Sequence, residues 1–276
     1  MHLAIDASRT TTARRTGTER YALSMIRALL AQEGGHTYTL YMREAPPVGL
    51  FGIPHRSNKL RVRIVGLPRL WTHVGLARAL GQDRPDAIWV PAHTLPLICP
   101  TPGVVTVHDL GYRHFPGAHP AQQRRYLEWS TRHSAGIAKR ILADSNATRH
   151  DLITAYRVAG PRIDVVYPGR DESLTRVDAG PVRAAHSLQK PYLLHVGTIQ
   201  PRKNLVRLIE AHARLRVRWP ELELVLAGAP GWLSAPILQA ARADGVRVLG
   251  AVPDSDLAGL YSGAEAFVFP SLYEGF

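Results

Sequence analysis

The feature that most constrains this chain is an alternation. Short β-branched runs, too brief for helices, are each followed by a longer stretch with helical apolar spacing. Strands that return in one direction need a crossover connection, usually a helix, so the pattern predicts a mostly parallel α/β sheet with helices on both faces. In the first half the expected strands are Leu3 to Asp6, Thr37 to Tyr41, Leu60 to Val65, Ala87 to Val90, Val104 to His108, Ile141 to Ala143 and Ile163 to Val166. The expected helices are Glu19 to Gln32, Leu70 to Leu80, Pro120 to Arg140 and Ser145 to Tyr156. In the first of them Tyr21, Ala22, Met25, Ile26, Leu29 and Leu30 fall on one face.

Tyr167-Pro168-Gly169 and the polar stretch up to Lys190, with Gly180-Pro181, carry breakers and no period, which marks a linker. The alternation then restarts with strands Tyr192 to Val196, Leu222 to Ala227, Val246 to Leu249 and Ala266 to Phe269. Helices Asn204 to Trp219, Ala235 to Ala243 and Asp256 to Ser262 lie between them, the first with Leu205, Leu208, Ile209, His212, Leu215 and Trp219 on one face. A chain of 276 residues, at roughly 100 to 200 residues per domain, fits two doubly wound domains: residues 1–170, a linker at 171–190, and 191–276.

Composition excludes several classes. With 45% hydrophobic and 20% charged residues the chain is neither disordered nor fibrous. The single cysteine, Cys99, excludes a disulfide framework and a multi-cysteine zinc site. No apolar run approaches the 18 or so residues of a membrane span, and Asp6 interrupts the apolar start before a signal-peptide core could form. A cytoplasmic, reducing location is expected. The formal net charge is +12, and residues 1–170 hold 23 Lys and Arg against 11 Asp and Glu, whereas residues 171–276 hold 11 of each. Such a half suggests an anionic partner, either phosphates or an acidic membrane surface at the inner face of the cell membrane. The excess is also what an Arg-rich, Ala-rich composition would produce, since 30 of the 34 basic residues are Arg. No nucleic-acid partner is expected.

Open α/β sheets bind ligands in loops after strands. The loop Arg14-Arg15-Thr16-Gly17-Thr18-Glu19 follows the opening strand, and a small residue there lets backbone N–H groups approach a phosphate. It has one glycine and no recognised phosphate-loop pattern, so a plain helix start is the competing reading. Gly197-Thr198-Ile199-Gln200-Pro201-Arg202-Lys203-Asn204 follows the strand Tyr192 to Val196 and places two cations at the first turn of a helix, where they oppose the macrodipole. Either an anion lies between them or they are solvated. His108-Asp109 also follows a strand, with no metal-ligand spacing around it, and a buried hydrogen-bonded histidine is the alternative. His195, inside a strand, reads as core. Glu274 could accept from sugar hydroxyls or be a solvated terminal acid.

The stretches GTERYALSMIRALL, VVTVHDLGYRHFPGAHP, ILADSNATRHDLI, YLLHVGTIQPRKNLVRLIEAHARL, LVLAGAPGW, VLGAVPDSDLAGLY and AFVFPSLYEGF, in that order, resemble the family 4 glycosyltransferases, with the nearest likeness to bacterial mannosyltransferase-like members. The pairing of VGTIQPRKN with FPSLYEGF is specific. The resemblance implies a GT-B architecture of two Rossmann-like domains facing a cleft, and retaining, metal-independent transfer of a hexose. It further implies mannose from GDP-mannose as donor and a glycolipid or polysaccharide acceptor, in cell-surface glycan synthesis. Arg202 and Lys203 match the basic pair on the donor diphosphate, Gly17 the small residue near it, and His108 the histidine beside the reacting sugar. Glu274 matches the first glutamate of an E-x7-E motif, and Gly197, Val252, Gly275 and Phe276 complete the implied donor-binding set.

The second glutamate of that motif would fall at position 282, beyond Phe276, together with the last strands of the second sheet and a closing helix. The second domain is therefore expected to be incomplete. The alternative to a working transferase is an inactive remnant or half-protein that binds an acceptor or a partner chain.

Overall fold

The computed structural model describes residues 1–12, 16–52, 59–172 and 174–276. In chain order the elements are β1 (His2–Asp6), α1 (Gly17–Ala31), β2 (Thr37–Met42), β3 (Leu60–Ile64), a π-helical turn (Trp71–Leu76) running into α2 (Ala77–Asp83), β4 (Ala87–Val90) and β5 (Gly103–Val107). There follow α3 (Gly111–His114), α4 (Ala121–Ile137), β6 (Arg140–Ala143), α5 (Asn146–Tyr156), β7 (Ile163–Val165) and α6 (Gly180–Ala185). The last are β8 (Tyr192–Val196), a 3-10 turn (Pro201–Lys203), α7 (Leu205–Arg216), β9 (Glu223–Ala227), α8 (Ala235–Ala240), β10 (Val246–Gly250), α9 (Asp254–Gly263) and β11 (Ala266–Phe267). Among the described residues no helix is long and apolar enough to cross a membrane.

These elements form two units. The first comprises Met1–Leu110, Arg125–Pro168 and Gly275–Phe276; the second comprises Gly111–Arg124 and Gly169–Glu274. The first holds a seven-stranded parallel sheet in the order β3-β2-β1-β4-β5-β6-β7. The second holds a four-stranded parallel sheet in the order β10-β9-β8-β11. In each, the opening strand lies inside the sheet and the chain winds outward on either side of it. That reversal is the topological switch point at which doubly wound sheets place ligands.

Helix faces follow the apolar spacing with instructive exceptions. α1 buries Leu23 and Ile26 against Ile5, Leu40 and Phe51, each such side chain contributing about 1.5–3 kcal/mol on burial. α7 buries Leu205, Leu208, Ile209 and His212, whereas Leu215 in its last turn is exposed and Trp219 lies beyond its end at Arg216. The stretch expected as one helix from Leu70 to Leu80 begins instead as a π-helical turn, entered through Leu70 at φ 55°. Gly75 packs against Val65 there, and a Cβ would lie 2.9 Å from Val65 Cγ1. The stretch read as unstructured up to Lys190 contains α6, with Pro181 in its first turn. A proline costs nothing at that position because its missing N–H has no helical partner anyway. β11 has two residues where four were expected, although Val268 still donates to the Leu194 carbonyl at 2.8 Å.

Candidate functional site

In the second unit, β8 and β11 are neighbours at the switch point, and the loops leaving them lie side by side. Three contacts latch them: Leu272 N–H donates to Arg202 O at 2.9 Å, Asn204 Nδ2 to Pro270 O at 3.1 Å, and Arg202 Nη1 to Tyr273 O. This brings Glu274 to the adjacent pair Arg202 and Lys203, 71 positions from the nearer of them. Arg202 Nη1 lies 2.6 Å from Glu274 Oε2, and Lys203 Nζ lies 2.6 Å from Glu274 Oε1. The Arg202 and Lys203 side chains are each only 11% exposed, which disposes of the solvated alternative. Burial works to raise the Glu274 carboxyl, but the hydrogen bonds from Lys203 and Arg202 outweigh it and hold the carboxyl below the usual range.

The expectation that the two cations sit in a helical first turn is corrected here. They occupy the 3-10 turn, Asn204 follows in a left-handed conformation (φ 58°), and α7 begins only at Leu205. The macrodipole therefore does not explain them, and the nearest anion is Glu274.

The floor of this cluster is built by aromatic and backbone groups. Lys203 Nζ lies 4.6 Å from the centre of the Phe269 ring, and His195, fully buried, stacks on the same ring at 6.0 Å. His195 Nδ1 is 3.0 Å from Val268 O, and burial pushes the imidazole down, toward the neutral form. Gly197, at φ 154°, packs where a Cβ would stand 3.4 Å from His195 Nε2 and 3.8 Å from Lys203 Cε. Gly228, after β9, comes closer still: a Cβ there would overlap the Gly197 carbonyl. Val252 packs elsewhere, against the Tyr192 and Leu194 core.

In the first unit a second cluster gathers at the carboxyl ends of β4, β5 and β6. His108 Nδ1 is 2.6 Å from Asp144 Oδ2, and His108 Nε2 is 2.9 Å from Pro91 O. Both partners are acceptors, so a neutral ring can donate to only one of them. Tyr21 meets the His108 ring edge-on at 4.8 Å, and His93 lies 5.5 Å from it. Burial, followed by the neighbouring His108, holds the His93 imidazole well below its usual value. Asp6, the last residue of β1, accepts from Ser8 N–H at 3.0 Å, and burial raises its carboxyl.

Gly275 belongs to this unit. Its carbonyl accepts from Ser145 Oγ and from Thr148 Oγ1, the latter at 3.1 Å, and a Cβ on it would overlap the His108 carbonyl. Phe276 is exposed, 6.1 Å from the Tyr167 ring. Gly17 is the first residue of α1, in open space, with Glu19 accepting from the Thr16 N–H at 3.0 Å and pairing with Arg9 at 2.6 Å. Arg14 and Arg15 of the same loop lie outside the described residues.

Asp144, His93 and Tyr21 were not singled out from the sequence. The signal that flagged His108, a polar residue directly after a strand, applies equally to Asp144. Tyr21 carried no such signal, since it counted as one member of a helix face. Among the described residues no three His, Cys, Asp or Glu side chains converge as metal ligands.

Solved structures define the class of fold. The chain aligns over its full length with sucrose-phosphate synthase from Thermosynechococcus elongatus (TM-score 0.70, 18% identity, 77% of that chain). It aligns equally with WaaG, a glycosyltransferase involved in lipopolysaccharide biosynthesis (TM-score 0.69, 15% identity, 76% of that chain). Over 98% of its length it matches Anabaena HepE in complex with UDP-glucose (TM-score 0.69, 16% identity, 73% of that chain). This is the GT-B type of α/β fold.

The family model Glycosyltransferase Family 4 matches residues 15–174, and Glycosyl transferases group 1 matches residues 181–276. The chain belongs to the family 4 glycosyltransferases. It is 36% identical over 187 residues to the O-antigen chain mannosyltransferase B of Escherichia coli, an overlap covering 63% of this chain and 48% of that protein. It is 31% identical over 153 residues to the serotype-specific mannosyltransferase WbdA of Escherichia coli, covering 50% of this chain and 18% of that protein. The chain thus spans about half or less of the length of these relatives.

Proposed function

We propose that this chain works in the transfer of a hexose, namely mannose from GDP-mannose, to a lipid-linked or polysaccharide acceptor with retention of configuration. The observation that carries the reading is the half-buried cluster of Arg202, Lys203 and Glu274 at the β8/β11 switch point. Two cations and the carboxylate that holds them stand together at this strand end. A donor diphosphate is the anion that such a fixed pair of cations suits. As the glycosidic bond breaks, the leaving diphosphate gains charge, and cations already held in place stabilise it without reorganising. Glu274 fixes both cations from one side and offers its carboxylate to sugar hydroxyls. Gly197 supports the reading by keeping the approach to Lys203 free of a side chain. The likeness to O-antigen mannosyltransferases supports the choice of mannose.

His108, braced by Asp144, takes the place beside the reacting sugar and acceptor, with Gly17 near the diphosphate. Residues 1–170 bear the acceptor, residues 191–276 bear the donor, and residues 171–190 link them. Gly275 and Phe276 complete the donor side, and Val252 supports it from the core beneath β8. The cytoplasmic face of a membrane carrying a lipid-linked acceptor is the location that fits this chemistry, and charge neutralisation by Arg202 and Lys203 takes the place of a metal ion.

The test is transfer of labelled mannose from GDP-mannose to a lipid-linked oligosaccharide, by wild type and Lys203→Ala, with and without chelator. Removing one such contact is expected to cost about 10²–10³ in rate. Chelator is expected to leave the rate unchanged and the product to be the α-anomer. Near-normal turnover by Lys203→Ala, or loss of activity on chelation, overturns the proposal.

A further inference from the structure

His195 lies fully buried in β8, where a histidine inside a strand belongs to the core, yet its hydrogen bonding is only half complete. Its Nδ1 is 3.0 Å from Val268 O. A carbonyl only accepts, so the proton of the neutral ring sits on Nδ1, and burial favours that neutral form. Nε2 is then left with a bare lone pair. Among the described residues nothing donates to it, although the atom is shut off from solvent. A buried acceptor without a donor is costly, and a phenylalanine here would keep the stack on Phe269 without that cost. The imidazole asks for a reason.

Gly197 shows where the lone pair is directed. The three atoms nearest to a Cβ on this glycine would be His195 Nε2 at 3.4 Å, Lys203 Cε at 3.8 Å and His195 Cε1 at 3.9 Å. The missing side chain therefore leaves a space about the size of one atom between the imidazole and the end of Lys203. Lys203 Nζ stands 2.6 Å from Glu274 Oε1 and 4.6 Å from the centre of the Phe269 ring, on which His195 stacks. Carboxylate, ring face and imidazole lone pair are all electron-rich, and all three meet at one ammonium.

The chemistry of the lone pair selects its partner. Diphosphate oxygens only accept, so an anion bound here cannot satisfy Nε2, whereas an ammonium with three N–H groups can. Nε2 is also buried behind Gly197, so an arriving anion meets Lys203 first.

We propose that His195 is a positioning residue for Lys203: when an anion binds beside the lysine, Nε2 accepts one N–H of its ammonium across the space left by Gly197. Glu274 takes a second N–H, and the third is aimed at the anion. His195 itself touches no substrate. The inference rests on the reading of Lys203 as a ligand of the donor diphosphate.

The experiment is calorimetric titration of the purified chain with inorganic pyrophosphate, as wild type, His195→Phe, Lys203→Met and the double variant. Lys203→Met measures the diphosphate reading and is expected to weaken binding about tenfold or more. His195→Phe should weaken it about fivefold to tenfold on its own. Beside Lys203→Met the same change should cost less than about twofold, because a residue that acts through the lysine then has nothing to position. His195→Gln, whose carbonyl can replace the Nε2 acceptor, should bind within about threefold of wild type. Circular dichroism checks folding, and nitrogen NMR of the histidine-labelled wild type, which needs no variant, should find His195 Nε2 unprotonated at neutral pH. Equal losses from His195→Phe in both backgrounds overturn the proposal and leave the reading of Lys203 standing. A protonated Nε2 does the same, as does a loss in His195→Gln as large as in His195→Phe. If His195→Phe weakens GDP-mannose but not pyrophosphate, Nε2 serves a sugar hydroxyl and the proposal falls. Pyrophosphate binding that is absent in wild type, or unchanged by Lys203→Met, overturns both readings.

Discussion

Glu274 accepts from two cations that its own chain neighbours could not supply, and its ionisation is tied to theirs. Burial opposes the charged form, while Lys203 and Arg202 favour it more strongly, so the folded carboxyl lies below the usual range. A depressed carboxyl contributes stability that is fully present above its unfolded value and is lost as the pH falls through its folded value. Glu274→Gln is therefore expected to unfold more easily than wild type by about 1–3 kcal/mol at pH 7. The gap should close as the pH falls below about 4. Urea melts of both proteins at pH 7, 5 and 3.5 check this, and a gap that stays constant across the range contradicts it. At the same scale His108 and Asp144 show how partial a sequence reading is. The histidine's place after a strand is legible in the sequence, but the carboxylate 2.6 Å away follows a different strand, 36 residues on.

At the scale of elements, helix termini are where local chemistry and fold meet. α5 starts with Ser145 accepting from Thr148 N–H at 3.1 Å, which satisfies one of the donors a helix start leaves open. It ends at Arg157, whose φ of 55° is the left-handed conformation that a side chain disfavours and glycine does not. Arg157 is exposed. Arg157→Gly is accordingly expected to stabilise the protein by about 0.5–1 kcal/mol. Equilibrium urea denaturation measures it, and a loss of stability would show that the arginine side chain makes a contribution larger than its backbone cost. The same conformation recurs at Leu70 and Asn204, each directly before a helical element, and at neither place did apolar spacing reveal it. Spacing reports which side of a helix is apolar; it does not report how the chain enters the helix.

At the scale of the whole chain the two sheets differ in depth. The first has seven strands, with β1 and β4 inside it, whereas the second has four, and one edge of it is the two-residue β11 with both residues exposed. Amide protection follows burial and pairing on both sides. Hydrogen exchange followed by mass spectrometry should find β4, β5, β8 and β9 slowest, with β11 exchanging at least about a hundredfold faster than β8. Protection of β11 equal to that of β8 would show that its outer edge is covered in solution.

The amino-acid order by itself determined the βα alternation, the parallel sheets, the helix faces that carry Ile26 and Leu208, and the loops after strands that carry His108, Arg202 and Lys203. All of these depend on period and on nearest neighbours, which a linear reading contains. Only the tertiary structure decided that Glu274 pairs with both cations, that Asp144 braces His108, and that α4 turns Tyr126 and Trp129 outward. The reason is physical: each depends on which strands become neighbours across the sheet. Strand order is set by packing between segments as far as 84 residues apart, as Leu3 and Ala87 are, on which local spacing is silent.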